Sequence, residues 1–489
     1  MRAGRVCAPV SRRIGRTIAD RRAARHGKRG VAENRKSRDD GKAKDVFDYR
    51  FSEVIAMPSY AILGCGLSAQ AVIGDLFARG ETDFTVYVRA GETDTVRERF
   101  PGVRVTDAWD SIREEILVRS PGVRPDLPPI ARAVAGGAKL TGEIEWVCAR
   151  SRAPVYGVTG SDGKTTTATL AAHLFRAMGY RVWLGGNIGT SLLPRLSEIL
   201  PTDRVVLELS SFQLMTFSPH LAGAAVTNLT ENHLDWHRDM AEYRAAKRHI
   251  LENAARRVEN ARGRIAPELP SLSFSATAES ANWHVGGGYL MRGDERLAPR
   301  SSLYTGADYL AENLLCAAAL TGAGAAEVSA VAAAFRGVEH RCEYLGEFRS
   351  VHCYDSSIDT TPARTAATLS AFPAPVTVLA GGRNKNLPLA PLAAALRRHA
   401  AAVVFFGEAG EEMRAALLGA GADGGTTPPS RYIADFSEAV SAALDATPTG
   451  GTLVLTPAAA SLDAFRSYRE RAETYKRLLY RLAGKTYTE

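Results

Sequence analysis

"GVTGSDGKTT", residues 157–166, decides the fold. It follows the short apolar stretch "APVY", 153–156. Its glycines Gly157, Gly160 and Gly163 let backbone N–H groups turn inward, Lys164 can reach phosphates, and Thr165 or Thr166 can offer a hydroxyl to Mg²⁺. The common spelling of such a loop, G-x-x-x-x-G-K-[ST], would need glycine where Val158 stands. An ordinary glycine turn has no use for Gly-Lys-Thr-Thr opening a helix after a strand. The stretch is therefore read as a phosphate cradle, and a strand–loop–helix unit of this kind belongs to a parallel α/β sheet.

Working outward, three blocks show strand and helix signals in alternation. The first, 58–150, has strands at "SYAILGCG", "FTVYVRA" and "EEILVRSPGV", with a helix from Leu67. The second, 151–338, has "APVYGVTG", a helix from Lys164, "RVVLELSS" and "GAAVTNLT". The third, 339–489, has "VHCYDSS", "VTVLAGG", "AVVFFGEAG" and "GTLVLTPAAAS", each followed by a helical stretch. Ligands gather at the carboxyl ends of strands in such sheets, where every motif below falls. The stretch 419–432 reads as a surface connection on its Gly, Thr and Pro content.

The net charge of +8 invites a nucleic-acid reading, but it is not spread over the chain. Residues 1–50 hold 16 Lys and Arg against 6 Asp and Glu, leaving 45 against 47 elsewhere, a net −2. The basic leader, 1–56, reads as a disordered segment, with a basic arm or an organelle address as alternatives, and Met57 as a possible true start. No nucleic-acid partner is expected of the rest. Six scattered cysteines without a C-x-x-C pair fit a reducing compartment, and no apolar run approaches the roughly 18 residues of a membrane span. A cytoplasmic protein is expected.

"GCGLSAQ", 64–70, is a glycine turn that can seat a pyrophosphate, with a plain tight turn as the bland reading. The acidic residue that a dinucleotide site wants at the end of the next strand is missing; Tyr87, Val88 and Arg89 stand there, which disfavours NAD and an oxidoreductase. Glu208 ends the apolar strand of "VVLELSSFQL" and is a candidate for Mg²⁺. In "TNLTENHLDWHRDMAEYRAAKRHIL", His233 and Lys247 taken alone read as a structural histidine and a solvated lysine.

Together, "GVTGSDGKTTT", "GGNIGTSLL", "LELSSFQL", "NLTENHLDWH", "YRAAKRHI" and "LTPAAASLDAFRSYRERAETY" resemble the Mur ligases, in their glutamate-adding branch, from Ser59 to Leu482. The family loop T-G-x-x-G-K-T is met by Thr159 to Thr165, which accounts for the missing first glycine. The resemblance implies three α/β domains: a Rossmann-like domain for the nucleotide substrate at 58–150, a central P-loop ATPase-like domain with a parallel sheet at 151–338, and a Rossmann-like domain for the incoming amino acid at 339–489. It implies a monomeric ADP-forming ligase that adds D-glutamate to UDP-N-acetylmuramoyl-L-alanine through an acyl phosphate, in building the cell wall.

The same resemblance implies the site residues. Thr159, Gly160, Ser161, Asp162, Gly163, Lys164, Thr165 and Thr166 would hold the phosphates of ATP, with Asn313, Arg341 and Asp355 near its adenosine. Two Mg²⁺ would be held by Thr165, Glu208, His233 and a CO₂-derived carbamate on Lys247. Gly66, Leu67, Ser68, Arg89, Ser120 and Gly122 would hold the uridine diphosphate, and Asn187 the acyl end. Lys385, Ser461, Leu462 and Tyr468 would bind glutamate.

Three departures accompany this. Tyr309 and Leu310 replace the family's H-N, Tyr87 stands at the acidic uracil contact, and "YDSSIDTTPART" lacks the lysine of D-S-K-A-T-N. Arg364 is expected to restore that charge at the glutamate site. An L-glutamate-adding variant and a ligase using another amino acid or a folate acceptor are the alternatives within the fold.

Overall fold

The computed structural model describes residues 58–304, 308–385, 387–419 and 427–487. The basic leader and part of the 419–432 connection lie outside them. Three sheets follow one another along the chain.

The first sheet holds β1 (Tyr60–Leu63), β2 (Phe84–Tyr87), β3 (Arg104–Thr106), β4 (Ile116–Arg119) and β5 (Lys139–Thr141), all parallel, in the order β3-β2-β1-β4-β5. Every residue of β1 is buried, the mark of a strand covered on both faces. The chain reverses direction across the sheet between β1 and β4, which opens a crevice at their carboxyl ends.

The second sheet holds β6 (Val155–Thr159), β7 (Val182–Gly186), β8 (Arg204–Glu208), β9 (Leu221–Val226), β10 (Ala254–Asn260), β11 (Leu272–Ser275), β12 (Trp283–Gly286), β13 (Tyr289–Arg292) and β14 (Glu295–Pro299). Their order is β14-β13-β12-β11-β10-β9-β6-β8-β7. The run from β7 to β12 is parallel, and β12, β13 and β14 form an antiparallel meander that the sequence reading did not anticipate. Tight turns at Gly287–Gly288 and Gly293, all with positive φ, make that meander possible. The cradle strand β6 sits between β8 and β9, and the helix Lys164–Ala177 that follows it packs on the almost wholly buried helix Asp308–Thr321.

The third sheet holds β15 (Glu343–Phe348), β16 (Val351–Asp355), β17 (Val376–Gly381), β18 (Ala400–Phe406), β19 (Ser430–Tyr432) and β20 (Thr452–Leu455), in the order β15-β16-β20-β17-β18-β19, parallel except for β15.

One apolar core runs through the first and second sheets, joining Ile62, Val72 and Val86 with Leu207, Leu214 and Ile250. The third sheet has cores of its own. It is reached through residues 337–342, where Gly337, His340 and Cys342 all take positive φ. No described helix is long and apolar enough to cross a membrane, and all five described cysteines are free thiols.

Candidate active site

The loop after β6 is fastened to the loop leaving β9. Thr227 Oγ1 donates to Asp162 O (2.5 Å), Asp162 N donates to Asn228 Oδ1 (2.9 Å), and Ser161 Oγ meets Thr230 O (2.9 Å) and the Tyr243 hydroxyl (3.0 Å). Two glycines make the loop possible. Gly163, with φ +76°, caps the helix Lys164–Ala177, and a Cβ there would lie 2.4 Å from Asn313 Oδ1. Gly160, with φ +150°, would put a Cβ 1.8 Å from Thr227 Oγ1. The helix therefore begins at Lys164 with the N–H groups of its first turn unpaired and its positive dipole end in the loop, which is a seat for phosphate. Lys164 Nζ folds back on Ser161 O (2.8 Å), and burial lowers its pKa, opposed by Glu208 and Asp162.

Beneath the loop lies Lys247, on the helix Met240–Glu252 capped by Asp239. It is 1% exposed, its Nζ donates to Gly160 O (2.8 Å) and Thr159 Oγ1 (3.3 Å), and burial, with the Lys164 charge second, lowers its pKa to about 7. The bland reading of a solvated lysine is overturned: it lies on the buried stripe Tyr243, Ala246, Lys247, Ile250, Leu251 of its helix. Glu208 is buried at the end of β8. Its Oε1 accepts from Asn187 Nδ2 (2.9 Å), and its Oε2 is buried without a hydrogen-bond partner. His233, held at φ +56°, sets its ring edge-on to Phe212 at 5.0 Å. Burial, then the Lys164 and Lys247 charges, lowers its pKa.

An orphaned carboxylate oxygen and a threonine hydroxyl at the helix start are oxygen donors of the kind that suit phosphate-bound Mg²⁺. The acid and histidine groups near enough to share an ion on their own, among the described residues, lie instead around His340, where Lys476 Nζ already meets Glu343 at 3.2 Å.

Arg341, on the approach to the third sheet, and Arg364, on the helix Pro362–Ser370, stand within electrostatic reach of the cradle: both depress the pKa of Lys164. Arg341 is half-buried, its Nε has no partner, and burial and Arg364 lower its pKa while Glu208 raises it. Asp355 is wholly buried and engaged, Oδ2 with His340 Nδ1 (2.8 Å) and Oδ1 with Ser357 N (2.8 Å), so both oxygens are held within the third sheet and its approach. Asn313 Oδ1 accepts from Thr167 Oγ1 (3.2 Å), which puts it against the cradle. One turn earlier on the same helix, Tyr309 is 37% exposed.

Ser357, where the family has lysine, is buried: its Oγ donates to Tyr468 O (2.8 Å) and accepts from Arg471 Nε (3.0 Å). Arg471, fully buried, also donates to Ser357 O, Ala459 O and Gly381 O, and so ties together the ends of β16, β17 and β20. Two cations flank the loop that follows Ser357: Arg364 Nη1 reaches Ile358 O (3.4 Å) and Lys385 Nζ reaches Thr360 Oγ1 (3.0 Å). Ser461 is buried, while Leu462 is 59% exposed.

At the crevice of the first sheet lies a cavity of about 1060 Å³. Gly66, Leu67, Ser68, Arg89, Ser120 and Gly122 all line it, together with Trp109, Arg99 and Arg124, which sequence reasoning missed. Tyr87 is not in its wall. It is buried, packs on Trp109 (6.1 Å), and turns its hydroxyl to Glu114 (3.0 and 3.1 Å), with its pKa pushed up to about 12 chiefly by burial.

Residues 158–273 match the Mur ligase middle domain. The UDP-N-acetylmuramoylalanine–D-glutamate ligase of Clostridium perfringens is 36% identical over 75% of this chain and 82% of its own length. The enzyme of that name from Clostridium novyi is 33% identical over 88% of this chain and 98% of its own. The crystal structure of the UDP-N-acetylmuramate-alanine ligase of Thermotoga maritima covers 87% of this chain and 99% of its own at TM-score 0.53 and 18% identity, a likeness of fold.

Proposed function

The chain belongs to the Mur ligases, and from that premise we infer that it joins D-glutamate to UDP-N-acetylmuramoyl-L-alanine at the expense of ATP, a step in building peptidoglycan precursors in the cytoplasm. The observation that carries the reading is that Lys164 and the buried Lys247 both bind carbonyls of one glycine loop, next to a strand pairing that ends at Glu208 with its unpartnered oxygen.

When bound, ATP supplies the phosphoryl group that activates the substrate carboxylate, and Mg²⁺ neutralises the charge that builds on it. The residues of the chain do the rest by positioning and electrostatics. The N–H groups from Gly163 to Thr166 and the Lys164 ammonium hold phosphate oxygens. Thr165, Glu208 and His233 would hold the two metals, with Lys247 joining them as a carbamate, since a buried amine of pKa about 7 is neutral enough to add CO₂. Asn187, already paired with Glu208, would sit beside the acyl carboxylate. Asn313, Arg341 and Asp355 would lie toward the adenosine of ATP. The cavity of the first sheet would seat the uridine diphosphate, with Arg89 and Arg99 to meet its phosphates.

The incoming glutamate must attack beside the phosphorylated carboxyl, so its cations must border both. Arg364 meets that condition, standing near Lys164 on one side and near the Thr360 loop with Lys385 on the other. Arg364→Ala is expected to raise the glutamate KM about tenfold or more while the ATP KM changes much less. An unchanged glutamate KM would remove Arg364 from the amino-acid site.

The deciding assay is phosphate release by the purified protein with ATP, Mg²⁺ and UDP-N-acetylmuramoyl-L-alanine, offering D- and L-glutamate separately and weighing the product. Turnover with D-glutamate alone is expected. Exclusive use of L-glutamate would assign reversed stereospecificity to the altered 355–365 pocket, and turnover with neither would refute the proposed reaction.

A further inference from the structure

We propose that Arg124 is a positioning residue that ties the first-sheet cavity to the loop carrying His233, so that filling the cavity fixes that loop. The proposal rests on the reading of the cavity as the seat of a uridine diphosphate. Arg124 lines the cavity from the loop after β4, yet most of its hydrogen bonds cross to the second sheet's segment. Its Nη1 donates to Trp236 O (2.6 Å) and to Glu242 (3.2 Å), and its Nη2 donates to Glu242 (2.8 Å). Nε and Nη2 hold Asp126 (2.8 and 2.9 Å), and the guanidinium lies 5.0 Å from the centre of the Trp236 ring.

The tie runs in both directions. Trp236 Nε1 donates to Gly122 O (3.3 Å), in the cavity wall, and Asp126 also pairs with Arg238. With its side chain 21% exposed, Arg124 is only partly screened by water, and a planar fork is the group that can hold a carbonyl and two carboxylates at once.

What lies at the far end gives this its meaning. Trp236 N and His237 N both donate to His233 O (3.1 and 2.9 Å), so Trp236 and His233 share one tight turn. Glu242 lies in the first turn of the helix that carries Lys247. A ligand that presses on residues 120–124 therefore meets, through one side chain, both elements that deliver His233 and Lys247. No other described side chain makes this set of contacts. A strap serving stability alone would not need to leave from the wall of the substrate cavity.

The test is hydrogen exchange of the full chain with and without UDP, with UDP binding measured in parallel by calorimetry. In the wild type, saturating UDP is expected to slow exchange across 231–242 by about fivefold or more. In Arg124→Ala, UDP still binds but exchange across 231–242 is the same with and without it. Arg124→Lys behaves like Arg124→Ala, because an ammonium cannot bridge Trp236 O, Glu242 and Asp126 together. Equal protection in wild type and Arg124→Ala overturns the proposal, as does a wild type that binds UDP without protecting the loop. A wild type that fails to bind UDP refutes the cavity's reading and the proposal with it. Should Arg124→Ala not fold, Glu242→Gln, which removes the charge and keeps the shape, is read by the same criteria.

Discussion

Lys247→Ala is expected to lower phosphate release by about two to three orders of magnitude, the cost of removing one electrostatic group from a phosphoryl-transfer site. An ordinary lysine of pKa 10.5 is about one part in a thousand neutral at pH 7.5. With its pKa lowered to about 7, Lys247 is far more often neutral there, and only the neutral amine adds CO₂, releasing a proton as the N–C bond forms. Burial is the larger cause and the Lys164 charge the second, so the low basicity belongs to the site and not to the solvent. Three results follow. Protein prepared without CO₂ should be nearly inactive and regain activity with bicarbonate. The regain should be faster at pH 8 than at pH 6. Lys247→Arg, permanently charged, should not respond to bicarbonate. Linkage gives a further sign: in CO₂-free buffer the unfolded chain holds the extra proton between the folded value near 7 and the ordinary value of 10.5, so stability contributed by this group rises with pH across that window and is lowest below it. Full activity without CO₂, unaffected by bicarbonate, would sink the carbamate.

The cradle was legible because its signals are local: glycines, a lysine and hydroxyls between a strand and a helix can be recognised within ten residues. The strand ends at Leu63, Glu208 and Asp355 were legible for the same reason, as apolar runs that stop at a polar or glycine-rich turn. The burial of Lys247 was available in principle, since Tyr243, Ala246, Ile250 and Leu251 surround it at helical spacing, and a charge in an apolar stripe is a signal. What could not be read is what depends on distant partners. Arg124 and Glu242 are 118 residues apart, Arg471 and Ser357 are 114 apart, and neither pairing leaves a periodic trace. Tyr87 is of the same kind: it replaces the acidic uracil contact at its strand end, and whether its side chain faces the crevice or turns to Glu114 is settled by packing against Trp109.

Gly160→Ala is expected to abolish measurable turnover, and the argument needs only backbone geometry. At φ +150° an L side chain is strained wherever it points, at a cost of about 1–3 kcal/mol. Here it also points at Thr227 Oγ1, 1.8 Å from the ideal Cβ position, with Asn228 N at 3.2 Å behind it. Thr227 cannot step aside without giving up Asp162 O and Thr159 O, and Gly160 cannot move without losing its carbonyl from Lys247 Nζ. Overpacking of this kind adds about another 1–3 kcal/mol. Together these correspond to a fall in Tm of roughly 5–20 °C for a domain of this size. Activity should fall further than stability, because what relaxes is the seat of the phosphates and the roof over Lys247. The double variant Gly160→Ala with Thr227→Ala separates the two terms. Removing the hydroxyl should recover part of the lost Tm by relieving the clash, yet leave ATP binding, measured by calorimetry, at least tenfold weaker, because the strained φ and the lost Asp162 contact remain. Recovery of ATP affinity together with stability would mean that the loop tolerates a Cβ and that its shape is not what binds the phosphates.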